Sequence, residues 1–179
     1  MKIYQFQNFV SKSDCYQITK WFEIQTKNTR NGESLFDNRT IPYSEVANPT
    51  IKRLMNKFRF DATIQSIVQF KERVYPEYTD LVYWPEGVSM DVHSDAWYPD
   101  GTPGKFYWRK YGAVLYLNDN YEGGHTYFPD HGIEVEPEVG KLLLFPSDLE
   151  HQHGVTEVTR GHRFTMPIWF TSDITKLEF

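Results

Sequence analysis

VGKLLLFPSDLEHQHGVTEVTRGHRF, residues 139–164, opens on an apolar run, LLLF at 142–145, with no polar alternation. A strand with one face in water alternates apolar and polar residues. Four apolar residues in a row, closed by Pro146, read instead as a short strand buried on both faces. Working outward, RFTMPIWFT (163–171) and YGAVLYLN (111–118) have the same character, and HTYFP (125–129), SMDVHSD (89–95) and DLVYWP (80–85) are shorter runs punctuated by Gly, Pro, Asn and Asp. Six short strands separated by turn residues predict a sandwich, jelly roll or small barrel over the second half of the chain.

The first half reads differently. IYQFQNF (3–9) predicts a short strand, and residues 13–27 predict a helix with Ile18, Trp21 and Phe22 on one face. Residues 28–47 are polar and predict an ordered surface loop. Asn48 before Pro49 is a helix cap and start, and an apolar side led by Ile51, Met55 and Phe58 runs on to Arg73, with a drift near Phe60 that predicts a kink or break. Helices first and strands afterwards give an α+β fold, mainly β, in one domain spanning 1–179, with helical support in 1–75 and a β core in 79–172.

The 179 residues, 40% hydrophobic and 17% aromatic, suffice for one core. The formal charge is -5 and the 19 basic residues are scattered, so there is no cationic stripe of the kind that binds a phosphate backbone, and nucleic acid is not expected as a partner. No apolar run approaches the roughly 20 residues that span a bilayer, and MKIYQFQNFV lacks a basic stretch with an apolar signal core. A cytoplasmic protein without a membrane partner is the expectation. Cys15 is the only cysteine, which excludes an internal disulfide and a thiolate zinc cluster. A metal would need His and carboxylate ligands.

His93 and Asp95 supply the first two. On extended backbone, residues two apart project to the same side, whereas on a helix they would diverge by about 200°. A third ligand must come from elsewhere, and His151 and His153, just beyond the buried run, share parity on a strand. Two imidazoles and one carboxylate on one face of an octahedral metal leave open positions for a co-substrate and dioxygen. Arg163 follows the turn Arg160-Gly161 and can return beside the metal, where a guanidinium would pair with the far carboxylate of a dicarboxylic acid. Taken singly, HxD is also a common surface triplet and one Arg a common surface charge.

Together these pieces resemble a known family. YWPEGVSMDVHSD, YLNDNYEGGHTYFP and VGKLLLFPSDLEHQHGVTEVTRGHRF, in that order, look like the catalytic half of the prolyl 4-hydroxylase-type 2-oxoglutarate oxygenases, over residues 81–171. The resemblance implies a double-stranded β-helix (a jelly-roll, cupin-like barrel) with helices packed outside. It implies Fe(II) and 2-oxoglutarate, with ascorbate as a further cofactor, and dioxygen-dependent hydroxylation of a prolyl residue in a peptide or protein, with release of succinate and CO2. By position, His93, Asp95 and His153 fall on the metal ligands, the alignment favouring His153 over His151. Arg163, where many collagen-type relatives carry Lys, falls on the residue that binds the co-substrate. Tyr83 and Tyr116 fall where tyrosines line the co-substrate pocket in some relatives, and Thr126 and Trp169 resemble positions near it.

Residues 97–110, WYPDGTPGKFYWRK, directly follow the first ligands and suggest a substrate-covering loop, with Lys105, Arg109 and Lys110 favouring an acidic or C-terminal carboxylate neighbour. His125, His131 and His162 read as loop or surface residues. Two other readings stand beside this one: the same chemistry on a small molecule or nucleobase, and a cupin-like binding module without turnover.

Overall fold

The computed structural model describes residues 2–28 and 39–179. In chain order the elements are β1 (Tyr4–Phe6), α1 (Lys12–Asn28), β2 (Thr40–Pro42), α2 (Pro49–Phe70), β3 (Tyr75–Trp84), β4 (Met90–His93), β5 (Tyr111–Tyr116), β6 (Glu122–Gly123), β7 (Thr126–Phe128), β8 (Ile133–Val135), β9 (Leu142–Pro146), β10 (His153–Val155), β11 (Val158–Arg160) and β12 (Arg163–Thr171). A six-stranded sheet, ordered β1-β9-β5-β12-β3-β2, faces a four-stranded sheet, β4-β10-β7-β8, and every pairing is antiparallel. The fold is a double-stranded β-helix with the two helices on the outer face of the larger sheet. Among the described residues no helix is long and apolar enough to cross a membrane.

The LLLF run behaves as its lack of alternation predicts. Leu142 and Leu144 turn outward into a core shared with Ile18 and Phe22 of α1 and Met55 and Phe58 of α2, while Leu143 and Phe145 turn inward against Tyr116 and Phe128. β12 divides in the same way. Phe164, Met166, Ile168 and Phe170 join the helix-side core, and Arg163, Thr165, Pro167 and Trp169 line the space between the sheets. Each sheet face thus has a different task, one stability and the other the site.

Three expectations need correction. The helix predicted to kink near Phe60 runs unbroken through all 22 residues of α2; Phe60 is 65% exposed, so the apolar drift marks an outward-facing side chain and not a break. The start is as read: the Asn48 side chain accepts from the amides of Thr50 and Ile51 at 3.0 and 3.1 Å, and Pro49 follows. The stop comes at Lys71, in the left-handed conformation with φ 55°. Residues 28–47, expected as a loop, contain β2, which pairs with β3; residues 29–38 lie outside the described residues. Lastly, DLVYWP covers only the second half of a ten-residue strand, whose first half, YPEYT (75–79), mixes Pro, Glu and Thr with two tyrosines and lacks a continuous apolar run.

One buried group on β3 sets a pH dependence. Asp80 is 7% exposed and its Oδ1 has no partner, so burial, reinforced by the charges of Glu178 and Glu45, raises its carboxyl from 3.8 to about 7. A folded state that binds the proton more tightly than the unfolded chain gains stability at low pH and loses it as pH rises. The loss should run from about pH 4 to 7, and Asp80→Asn should remove it. Melting of the variant and wild type at pH 5 and pH 8 should show the variant gaining about 2–4 kcal/mol relative to wild type at the higher pH; parallel melting at both values would refute the assignment.

Candidate functional site

β4 and β10 are neighbours in the smaller sheet, and their register places His93 directly opposite His153. The two imidazole rings stand 4.6 Å apart between centres. β4 ends at His93, and Ser94 then folds the chain back: its hydroxyl donates to the Ser147 carbonyl at 2.9 Å and accepts from the amides of Ala96 and Trp97. That turn aims Asp95 at the histidines. One donor atom from each of His93, Asp95 and His153 lies within 4.8 Å of the other two, a group that could hold a metal ion.

Second partners decide which atoms face inward. His93 Nδ1 donates to the Asp91 carbonyl at 2.9 Å, and His153 Nδ1 to the His151 carbonyl at 3.3 Å, leaving Nε2 of each ring free. Ser147 donates to Asp95 Oδ2 at 3.3 Å, and the other oxygen, Oδ1, stands 3.9 Å from His93 Nε2. Burial holds the His153 imidazole below the usual histidine range, which keeps it in the neutral form that ligates metals. Its ring is packed between Phe145 and Phe128, at 4.5 and 5.6 Å between centres.

His151 is not an equivalent candidate. It ends a short 3-10 turn, Leu149–His151, capped by Asp148, so the strand parity that made the two histidines look alike does not apply. Its Nδ1 binds Asp148 Oδ1 at 2.6 Å and its ring packs against His131.

The donor group borders a cavity of about 340 Å³ between the sheets. Arg163 lies at its floor, 1% exposed, with its guanidinium 4.8 Å from the Trp84 ring and 5.6 Å from the Tyr116 ring. Nη2 donates to Thr126 Oγ1 at 3.4 Å; among the described residues Nε and Nη1 have no hydrogen-bond partner and no carboxylate stands within ion-pair distance. Tyr116, whose hydroxyl burial keeps protonated, donates to the same Thr126 oxygen at 2.8 Å.

The structure therefore brings Arg163, Thr126 and Tyr116 together beside the donor group, places Trp169 further along the same cavity and leaves Tyr83 outside it. Tyr83 points into the helix-side core, its hydroxyl 3.1 Å from His162 Nδ1; the cavity receives its neighbours Val82 and Trp84. Trp169 does line the cavity, but six residues along β12 from Arg163, roughly 20 Å at strand rise, where it stacks on Arg109 at 4.3 Å. It belongs to the mouth and not to the floor. Two of the three cations of residues 97–110 are also committed: Arg109 pairs with Glu77 at 2.8 Å and Lys110 with Glu72.

Sequence reasoning missed Trp84, Ser147 and Gly112. A side chain on Gly112 would place its Cβ 2.8 Å from the Phe145 ring and 3.0 Å from Asp95 Oδ2. Gly112→Ala should therefore weaken metal binding at this group by roughly tenfold, the cost of disturbing a ligand's supporting shell. Equilibrium metal titration measures it, and unchanged affinity would show that Asp95 has room to move.

Residues 76–171 match the sequence profile of the 2OG-Fe(II) oxygenase superfamily. Prolyl 3-hydroxylase 1 of Homo sapiens is 41% identical over 76 residues, 40% of this chain and 10% of that protein, and prolyl 3-hydroxylase 2 of Homo sapiens is 37% identical over 76 residues, 40% and 11%. The chain thus spans about a tenth of the length of these relatives. Among solved structures, the viral collagen prolyl hydroxylase of Paramecium Bursaria Chlorella virus-1 in its 2OG complex has a TM-score of 0.75 at 16% identity over 97% of both chains. A Pseudomonas putida prolyl-4-hydroxylase has a TM-score of 0.72 at 19% identity over 96% of this chain and 93% of the other. These likenesses show the same fold. With the profile covering more than half of its 179 residues, the chain belongs to the 2OG-Fe(II) oxygenase superfamily.

Proposed function

We propose that this protein is an Fe(II)- and 2-oxoglutarate-dependent dioxygenase that hydroxylates a prolyl residue in a peptide or protein. The observation that carries the reading is one cavity holding both a two-histidine, one-carboxylate donor set and a buried guanidinium that has no counter-ion among the described residues. A buried, unpaired cation is costly in an apolar setting unless a ligand supplies the anion.

The residues fit both groups. His93, Asp95 and His153 would hold the iron, through nitrogen and oxygen donors suited to a metal that keeps open positions. Arg163, with Thr126 and Tyr116 beside it, would hold the far carboxylate of 2-oxoglutarate and fix that molecule's orientation. When bound, iron and 2-oxoglutarate supply the activation of dioxygen for insertion of one oxygen into a C–H bond, with succinate and CO2 released. Val82, Met90 and Val155 line the cavity with apolar surface and keep water from the reacting centre. The helices and the barrel act as one domain.

The prolyl target rests on the relatives, named as prolyl hydroxylases, and on a further neighbour of the same fold, a Trichoplax adhaerens prolyl hydroxylase in complex with a hypoxia inducible factor peptide, TM-score 0.71 at 17% identity over 96% of this chain and 84% of that one. The Trp169 and Phe106 rings at the mouth suit a proline ring and an extended chain.

The test has two stages. Anaerobic Fe(II) protein titrated with 2-oxoglutarate should develop a weak visible charge-transfer band. Admitting air, with ascorbate and proline-containing peptides, should then yield succinate together with peptides heavier by one oxygen atom. No band would exclude the oxygenase; oxidation of a free amino acid or nucleobase with inert peptides would replace the prolyl target.

A further inference from the structure

A second cavity, of about 290 Å³, opens beside the first. His93, Ser94, Asp95 and Phe106 border both, so the metal-ligand ridge divides them. The remaining walls of the second cavity come from Val92 and from residues 96–105, chiefly Trp97, Tyr98 and Pro99, with Lys105 as its one Lys or Arg.

These walls are built. The Asp100 carboxylate accepts from the Thr102 amide and hydroxyl at 2.9 and 2.6 Å, Tyr98 N donates to Thr102 O at 3.0 Å, and Trp97 bridges to Pro103. Gly104 N closes the base on Ala96 O at 2.9 Å, where a Cβ would lie 2.9 Å from that same oxygen. Segment 97–104 is thus a closed hairpin, fixed by its own turn bonds, and not a loose flap.

Charge distinguishes the occupant. Of the three cations in residues 97–110, Arg109 and Lys110 are held by Glu77 and Glu72. Among the described residues Lys105 has no carboxylate partner; its ammonium lies 5.1 Å from the centre of the Phe106 ring, the residue shared by both cavities. Its one carboxylate, Asp95, belongs to the metal-donor group, so a slot walled by Val92, Trp97, Tyr98 and Pro99 with a single unpaired cation at its edge suits a group with an apolar stem and a carboxylate end.

We propose that this second cavity is a substrate subsite for a carboxylate-bearing residue one or two positions from the residue oxidised, with Lys105 as its charge partner and Trp97 and Tyr98 as its walls. An extended chain advances about 3.1–3.3 Å per residue, so a chain that presents one side chain to the first cavity places a near neighbour over the second. The carboxylate comes from an acidic side chain or from the peptide's own C-terminus. The inference rests on the peptide reading of the substrate.

The experiment uses iron-loaded protein with 2-oxoglutarate and a proline peptide whose flanking residue is Glu, Gln or Lys, each as free acid and C-terminal amide. Peptide binding is followed anaerobically by tryptophan fluorescence, and kcat/KM by product mass. Wild type should favour Glu over Gln roughly two- to fivefold, through KM and not kcat, with the preference fading in high salt. Lys105→Glu should reverse the order to favour Lys, and Lys105→Met, which keeps the stem, should abolish it. A preference for free acid over amide that follows Lys105 in the same way assigns the carboxylate to the chain terminus. A ranking that is the same in all three proteins, or no peptide binding at all, overturns the subsite. Charge-dependent binding without peptide oxidation would leave the subsite standing and remove the prolyl reading, whereas equal oxidation of every peptide by every variant would do the reverse.

Discussion

Replacing His153 by alanine should abolish iron binding and turnover together, while the same change at His151 leaves the iron in place. His153 is the buried member of the donor group, opposite His93 in the β4–β10 register, and its loss leaves only His93 and Asp95. Two ligands, one of them on a side chain 36% exposed, cannot hold a labile divalent ion against water, so affinity should fall by at least about a hundredfold and activity below detection. The fold should persist, since His153 faces the cavity and the helix-side core is untouched. His151→Ala removes a contact to Asp148 within one turn and should cost about 1 kcal/mol of stability with normal metal content. Metal analysis of the purified variants decides it; iron lost from His151→Ala and kept in His153→Ala would reverse the ligand assignment.

Arg163→Met should lower the apparent affinity for 2-oxoglutarate by roughly ten- to a hundredfold while iron still binds, because a charge-assisted pair with a carboxylate is worth about 1.5–3 kcal/mol. A second readout separates binding from structural support. Among the described residues Nε and Nη1 of Arg163 have no hydrogen-bond partner and the guanidinium no carboxylate, so a methionine of similar bulk removes an uncompensated buried charge. Without 2-oxoglutarate the variant should melt no lower than wild type, and added 2-oxoglutarate should raise the melting temperature of wild type alone. A large fall in melting temperature with unchanged affinity would make Arg163 a structural residue.

Most of the barrel was legible because its central strands are apolar on both faces. β5, β9 and β12 announce themselves in YGAVLYLN, LLLF and RFTMPIWFT, and the donor triad in HxD with a distant His. What was hidden depends on contacts distant in sequence. The continuous run DLVYWP has no alternation to say which side faces the cavity, so Tyr83 looked as eligible as Trp84. The partners of Arg109 and Lys110 lie 32 and 38 residues upstream, and neither pair leaves a local trace. The 3-10 turn at Leu149–His151 did leave one, Asp148 in a capping position, which the strand-parity reading of His151 and His153 passed over.

The strand order carries a further consequence. Among the described residues β4 is the outermost strand of its sheet, paired with β10 alone, and it contributes His93 while β10 contributes His153. An ion shared by those two rings ties an edge strand to its neighbour at the point where the backbone ladder ends. By thermodynamic linkage, the free energy that holds the ion is also free energy that resists fraying of that edge. Amide protons of β4 should therefore exchange slowly in the loaded protein and quickly without iron, so that the site reports its own loading through the local stability of one strand.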